Sequence, residues 1–369
     1  MSMQDSPITD TRDLLGAIPT LMGFRPEHSL VILGIMPGGL LGPIARVDFP
    51  DDRAEAAALL GKLCPQLSGF GVSHVITVLY TRHVDPEHAA TVCAVLEALW
   101  ATTEATGLAP LAAWHVGPTL YRALPTTPTD PVTDRSGLVD DLYSGRVLAE
   151  LVAEGLPVAT GTREDLFACL TPAADVHRAS IGALAERCRL EMLSGKRHLE
   201  AGFLTWLDEV ERARTTPDAV HELTPDAAAL LLACLRVDDF RDAVMVDSMP
   251  GGESACRALL TDAPGAKQLL SEVLERVFTG SLDRPDPATV GGTRRVLEAL
   301  VRQAPAGLAS NPLAVLAFLA WWQDETVLAG EAAQRAAEDE GGSTLAVLVT
   351  QALGIGLRPG WTGAGQPQR

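Results

Sequence analysis

The stretch PTLMGFRPEHSLVILGI, residues 19–35, decides the fold of this protein. It opens with a proline, a Gly-Phe pair and a second proline, and it ends in an apolar run that follows Ser29. A short, uninterrupted apolar run is typical of a strand that is buried on both faces of a sheet. We therefore predict a connector over residues 19–28 that leads into the first strand of a buried sheet.

Strands and helices alternate on either side of this stretch. Pro37, Gly38 and Gly39 separate the first strand from a second over residues 40–49, which predicts a hairpin because glycine adopts the positive φ angles of tight turns. The first helix is expected to stop at Pro19, and residues 117–137 to form a long loop or an irregular hairpin. Further strands are predicted over residues 72–80 and 109–116, and helices over residues 10–17, 52–67, 86–105 and 139–154.

This alternation predicts an α/β domain over residues 10–170. Helices that connect successive strands imply a mostly parallel, Rossmann-like sheet, to which the N-terminal hairpin adds an antiparallel pair. The chain of 369 residues exceeds the usual size of one hydrophobic core, so a second domain is expected.

The pattern changes after residue 171, where we find no further strand pattern. Helix starts recur instead, each a capping residue followed by proline at the first helical position. We predict an all-α domain over residues 171–357 and a disordered tail over residues 358–369. Residues 311–353 vaguely resemble a tetratricopeptide unit, but we find no second copy, and solenoids need several. The four predicted starts are Thr216-Pro217, Thr224-Pro225, Asp286-Pro287 and Asn311-Pro312.

The charge and cysteine content exclude several classes of protein. Lys and Arg number 29 against 47 Asp and Glu, a formal charge of −18, which disfavours binding to nucleic acid or to anionic membranes. The six cysteines are scattered without a C-x-x-C pair, so we expect reduced thiols rather than disulfides or a zinc site. We find no secretory signal and no apolar run of about 20 residues, the length that spans a bilayer, and predict a cytoplasmic protein.

Two clusters are weak candidates for a catalytic site. His83, Asp85 and His88 lie at the predicted end of a strand and the start of a helix, the edge where α/β sheets bind ligands. A helix cap and polar first-turn residues explain them equally well, and no metal-ligand spacing is present, so we predict no metal site. Ser29 follows Glu27 and His28, but adjacent residues of an extended chain point to opposite faces, so these do not form a triad. A hydrogen bond from Ser29 to the backbone of the connector is the more ordinary interpretation.

Neither phosphate-binding fingerprint is present, neither G-x-x-x-x-G-K-[ST] nor G-x-G-x-x-G after a strand, so we leave any cofactor unknown. The segment MPGGES, residues 249–254, precedes a predicted helix, where exposed amides can hold an anion. A plain loop explains it as well. The pair Trp321-Trp322 would place one ring in a core and the other toward a partner or another domain.

The N-terminal motifs resemble the opening of an actinobacterial family, the domain of unknown function 4192 family. The resemblance is carried by DLLGAIP at residues 13–19, LMGFRP at residues 21–26 and SLV at residues 29–31, and continues more loosely through RVDFP at residues 46–50 and AWW at residues 320–322. Relatives carry an aromatic and cysteine-containing segment where this chain has Tyr121 and no cysteine over residues 117–134. The family has no assigned activity, so the resemblance implies an architecture and leaves function open.

Two hypotheses of different class follow. The first is a non-catalytic binding or regulatory module with a protein partner, because no catalytic signature is found in a well-formed chain of two domains. The alternative is an enzyme or small-molecule binder with a site at the carboxyl edge of the sheet, facing the helical domain. The sequence does not decide whether the protein is an enzyme.

Overall fold

The computed structural model divides the chain into two compact units, Met1–Glu164 and Asp165–Arg369. We call them unit 1 and unit 2 and describe each by itself. The sequence pattern placed the boundary near residue 170. The structure describes residues 11–82, 86–131, 135–153, 158–173, 175–192, 197–216, 220–280, 282–340 and 342–362, with the backbone alone at residues 11, 86–89, 175, 176, 197 and 198.

The described residues of unit 1 form one mixed sheet of six strands. Their order across the sheet is β2-β1-β3-β4-β5-β6. The four predicted strands are present, and the last two strands fall in the region that we expected to be irregular. The strands are β1 Ser29–Ile35, β2 Leu41–Asp48, β3 His74–Tyr80, β4 Ala109–Val116, β5 Leu120–Leu124 and β6 Ser136–Leu138.

The prediction of a mostly parallel sheet is wrong. Only β3 and β4 pair in parallel, and every other neighbouring pair is antiparallel. The helix α2, Arg53–Gly69, carries the chain from β2 to β3, which run in the same direction, as a crossover requires. However, β1 lies between these two strands and pairs with both. The N-terminal hairpin therefore changes the pairing of the whole first half of the sheet.

Both faces of the central strands of this sheet are buried. One face packs against α2 and α3, Pro86–Thr106, with Leu30, Leu60 and Val95 fully buried in that core. Residues on the opposite face, such as Val31 and Val78, are equally buried. The remaining helices are α1 Thr11–Met22 and α4 Arg146–Ala153, which pack together, and α5 Arg163–Phe167, which crosses into unit 2.

The predicted starts and stops of these helices are partly confirmed. Asp52 caps α2 by accepting a hydrogen bond from the Glu55 backbone N–H (2.9 Å), while Glu55 accepts one from Asp51 (2.8 Å). The prediction that Pro19 ends the first helix is wrong, because α1 continues to Met22. Leu14, Ile18 and Met22 recur at helical spacing and are buried. Their burial offsets the cost of the backbone hydrogen bond that proline cannot donate within the helix.

Unit 2 is helical throughout its described residues. Its core surrounds α13, Ser310–Trp322, in which almost every residue is buried. Helices α8, α9, α12, α14 and α15 all pack against it. A helix enclosed in this way differs from a stacked array of repeats, in which each unit touches only its neighbours. The other helices are α6 Asp175–Met192, α7 Arg197–Thr215, α8 Pro225–Leu235, α9 Asp238–Asp247, α10 Glu253–Thr261, α11 Ala266–Thr279, α12 Pro287–Gln303, α14 Thr326–Glu338 and α15 Thr344–Gly354.

Two of the four predicted proline starts are confirmed in unit 2. Thr224 and Asp286 cap α8 and α12 by accepting backbone hydrogen bonds. Residue 217 lies outside the described residues. Asn311 does not cap α13; the Asp339 carboxylate instead accepts from three backbone N–H groups at the start of that helix, at 2.8–3.0 Å.

Residues 358–362, which we predicted to begin a disordered tail, make contacts with the rest of unit 2. Arg358 Nε donates to Asp324 Oδ1 (3.0 Å), and Trp361 Nε1 donates to the Trp322 carbonyl (2.8 Å). The two adjacent tryptophans are also both buried in the core of unit 2, each about 1% exposed. Neither ring faces a partner, because Trp321 Nε1 donates to the Leu357 carbonyl (2.8 Å) inside the same unit.

Candidate functional site

One line of cross-strand neighbours runs across all six strands near the carboxyl ends of β3 and β4. Residues that are paired directly across strands point to the same face of a sheet. These side chains therefore lie together, on the face opposite α2 and α3, and we call them the edge row. Ligands of open α/β sheets bind at the carboxyl ends of parallel strands. The edge row consists of Asp48, Ser29, Tyr80, Val116, Tyr121 and Gly137.

Ser29 is a fully buried member of the edge row. Its hydroxyl donates to the Glu27 carbonyl (2.6 Å), the bond to the connector that the sequence indicated. It also accepts from Arg46 Nε (3.0 Å), and Arg46 pairs with Asp48 (2.7 Å). Both partners of Ser29 are therefore structural, since neither a carbonyl oxygen nor a guanidinium takes a proton from a hydroxyl.

The residue before Ser29 has an unusual backbone conformation. His28 has a φ of +42°, in the left-handed region that residues other than glycine rarely adopt. Its ring stacks on Phe49 with the ring centres 5.1 Å apart. Strained residues of this kind concentrate at functional sites.

Tyr80 has the most unusual environment of the edge row. The residue is 7% exposed, and its Oη is buried without a hydrogen-bond partner among the described residues. Burial raises the pKa of this phenol, and the phenol of Tyr143 adds to the rise. Tyr80 is therefore a neutral hydroxyl with an unused donor.

Tyr143 contacts an arginine of the connector. It lies in the 3-10 turn Val139–Ser144, and the guanidinium carbon of Arg25 is 5.0 Å from the centre of its ring. The backbone N–H of Arg25 donates to the Gly161 carbonyl (2.8 Å), which fixes the connector at this position. Within the described part of the chain, the Arg25 side chain pairs with no carboxylate.

Tyr121 and Trp114 are two further buried aromatic residues on this face of the sheet. Their ring centres are 5.9 Å apart, and the Tyr121 ring lies against Gly137, where a Cβ would come within 2.7 Å of Tyr121 Oη. Trp114 is next to the edge row on the same face, and its buried Nε1 also lacks a partner among the residues described. A buried donor left unpaired lowers the stability of the fold by about 1–3 kcal/mol, so the unpaired donors of Tyr80 and Trp114 are destabilising.

The opposite face of the sheet carries a different polar pair. His115 is paired with Leu79 on the side of α2 and α3, and its Nε2 lies 2.8 Å from the hydroxyl of Thr81. Burial, with a smaller contribution from the Arg122 charge, lowers the pKa of His115 to about 4. The imidazole is therefore neutral near pH 7.

Of the residues proposed from the sequence, Ser29 is the one whose side chain the structure describes, and it belongs to this site. His83 and Asp85 lie outside the described residues. His88 lies in the first turn of α3, and its side chain is not described. In the part of the chain that the structure describes, no three His, Cys, Asp or Glu side chains come together to hold a metal ion.

Sequence reasoning missed the tyrosines. The chain has only three, Tyr80, Tyr121 and Tyr143, and all of them lie at or beside the edge row. Their rarity, and the position of Tyr80 at the end of a predicted strand, were the available signals. The glycine-rich segment at residues 249–254 is a loop before α10, and the Gly252 amide donates to the Met249 carbonyl (2.9 Å) rather than remaining open for an anion.

The model of one family, described as Domain of unknown function (DUF4192), matches residues 12–360. No curated protein and no solved structure gave a match. None of the helices in the described ranges has the length and apolar character needed to cross a membrane.

Proposed function

The chain belongs to this family of domains of unknown function, and on that premise we propose that it is a non-catalytic binding module that holds a small molecule at the edge row. One observation carries the proposal: Tyr80 Oη is buried and has no partner in the described residues. A phenylalanine would fill the same space without the cost of an unpaired donor. A bound ligand that accepts a hydrogen bond from Tyr80 Oη would explain why this position carries a tyrosine.

The surroundings of Tyr80 support a binding site rather than a catalytic one. The hydroxyl of Ser29 is already bonded to a carbonyl and a guanidinium. The neutral imidazole of His115 lies on the other face of the sheet, where it serves neither Ser29 nor Tyr80. Aromatic rings with a few directed donors are the composition of a site that binds and orients a ligand.

A thermal-shift screen with a library of metabolites tests the proposal. We expect at least one compound to raise the melting temperature of the wild-type protein, because a ligand that binds only the folded state stabilises it. The substitution Tyr80→Phe should abolish that shift while leaving the free protein at least as stable. The matched control is Thr77→Val, which removes a buried hydroxyl, also unpaired among the described residues, from the opposite face of the same strand.

The two variants separate binding from stability. Thr77→Val should keep the full ligand-induced shift, since Thr77 faces α2 and α3 and not the edge row. A compound that shifts the wild type and Tyr80→Phe equally would place its site elsewhere. A screen in which no compound shifts the wild type would contradict the proposal itself.

We also propose a cytoplasmic location and an actinobacterial source. All six cysteines are free thiols, which supports a reducing compartment. The prevalence of arginine over lysine, with abundant alanine, glycine and proline, is typical of proteins from GC-rich bacterial genomes and supports the source. Fractionation of the native host would test the location, and recovery of the protein from the culture medium would contradict it.

A further inference from the structure

We infer that the ligand of the edge row carries an oxyanion, a carboxylate or a phosphate group, which Arg25 and the phenols of Tyr80 and Tyr143 bind together. The inference rests on the proposed function and specifies the chemistry of its ligand. It follows from which polar groups at this edge of the sheet are already paired and which are not.

Two carboxylates at this edge are already paired. Asp48 pairs with Arg46 (2.7 Å), and Glu27 pairs with Arg82 (3.1 Å). Neither carboxylate is thus available as the acceptor for a cationic ligand without breaking an existing ion pair. A cationic ligand that bound to these two carboxylates would have to displace an arginine from each.

Three groups without a partner among the described residues are able to donate. Tyr80 Oη and Trp114 Nε1 are buried donors without a partner among the described residues, and indole nitrogen has no acceptor capacity at all. Arg25 adds five guanidinium N–H groups and a full positive charge. An excess of donors next to an uncompensated cation favours a ligand that is rich in acceptors and negatively charged.

Arg25 has no acidic partner among the described residues, although acidic residues outnumber basic ones by 47 to 29 in this chain. In unit 1 the described ion pairs join Arg46, Arg53, Arg82 and Arg146 to acidic residues. Arg25 stacks instead on the ring of Tyr143, which orients the planar guanidinium while leaving its N–H edge free for a bidentate contact.

The connector holds these groups in place before a ligand arrives. The backbone of Arg25 is bonded to Gly161, and Tyr143 belongs to a turn that packs against α1. A preorganised guanidinium loses less side-chain entropy on binding than a mobile one. Arg25 is an exposed residue, so its orientation depends on the backbone bond to Gly161 and on the ring of Tyr143.

Calorimetric and thermal-shift titrations test the inference with two defined probes, inorganic phosphate and citrate, at an ionic strength kept constant with NaCl. Glycerol serves as the neutral control. We expect one of the two anions to bind and to raise the melting temperature. Binding of phosphate would indicate a phosphate-bearing ligand, and binding of citrate would indicate a carboxylate. Arg25→Gln should weaken that binding at least tenfold, and Tyr80→Phe should weaken it as well.

Arg122→Gln is the matched control, because it removes an exposed arginine from the opposite face of the sheet with the same change in net charge. It should alter the affinity less than threefold. Circular dichroism checks that each variant folds. If Arg25→Gln does not fold, Arg25→Lys retains the charge without the planar fork and should still weaken binding measurably.

Three results would overturn the inference. Equal binding of both anions to wild type and Arg25→Gln would mean a non-specific salt effect. A neutral metabolite whose thermal shift depends on Tyr80 but not on Arg25 would leave the proposed function standing and refute the anionic ligand. A wild type that responds to neither anion and to no compound of the metabolite screen would contradict both the proposed function and the anionic ligand.

Discussion

At the scale of single residues, Ser29 and Tyr80 are direct neighbours in one sheet but differ in how their hydroxyls are used. Ser29 both donates and accepts a hydrogen bond, whereas Tyr80 does neither with the described residues. The first hydroxyl therefore stabilises the fold, and the second is available for another purpose. Substitutions at the two positions should consequently affect stability in opposite directions.

Replacing Ser29 with alanine should lower the free energy of unfolding by about 1–3 kcal/mol. The buried Arg46 guanidinium would lose an acceptor at 3.0 Å, and its side chain is only 16% exposed. Urea denaturation measures the change. The exposed Ser68 provides a control, since Ser68→Ala should stay within about 0.5 kcal/mol of wild type. A Ser29→Ala variant as stable as wild type would contradict the structural role.

The second prediction concerns the buried imidazole of His115 and acidic pH. Its pKa is about 4 in the fold and about 6.5 in the unfolded chain, so between these values the unfolded state binds the proton more readily. This group's contribution to stability is therefore complete above pH 6.5, declines as pH falls and is lost near pH 4. The full difference is about 3 kcal/mol.

Urea midpoints measured from pH 7.5 to pH 4 test this dependence. His115→Gln retains a polar partner for Thr81 but removes the titration, so its stability should fall less steeply than that of wild type across this range. His74→Gln, the same change at an exposed position, is the control for the substitution itself. Parallel curves for wild type and His115→Gln would refute the assignment.

The candidate site was only partly predictable from the sequence, because its residues come together through strand pairing. Ser29 was identified because it begins a recognisable strand. The sequence singled out Tyr121 only as a departure from the family pattern, and its place in the edge row follows from the register of β5. Tyr143 lies far along the chain from Tyr80, and its place follows from the position of the 3-10 turn. Single-sequence patterns carry no information about such pairing.

At the scale of elements, the packing of α1 against the 3-10 turn depends on Gly16. A Cβ at Gly16 would lie 2.0 Å from the Leu142 carbonyl oxygen, a distance that requires the backbone to move. We expect Gly16→Ala to lower the free energy of unfolding by at least about 2 kcal/mol. Differential scanning calorimetry of the two proteins measures this loss.

Gly61 in α2 is the matched control for that substitution. A Cβ there meets no atom within 4 Å. Gly61→Ala should therefore raise stability by about 0.5–1 kcal/mol, because alanine loses less backbone entropy in a helix than glycine does. If both variants were destabilised equally, the loss at Gly16 would not come from contact with the turn.

At the scale of the whole molecule, the sequence predicted the kinds of element well and their arrangement less well. The strands near residues 29–35, 74–80 and 109–116 were identified because apolar runs report burial directly. Strand direction was wrong because a crossover fixes β2 and β3 parallel to each other without specifying that β1 lies between them. The enclosed position of α13 likewise follows from the packing of the surrounding helices, which the periodicity of apolar residues in the sequence does not specify.

The last prediction concerns how the two units unfold. The core against α2 and α3 draws only on residues of unit 1, and the helical core only on residues of unit 2. Leu60→Ala and Leu316→Ala each remove a fully buried side chain, one per core, at a cost of about 2–5 kcal/mol. In hydrogen-exchange mass spectrometry, each variant should lose protection in peptides of its own unit and keep wild-type protection in the other. Equal loss in both units would mean that the two cores unfold as one cooperative structure.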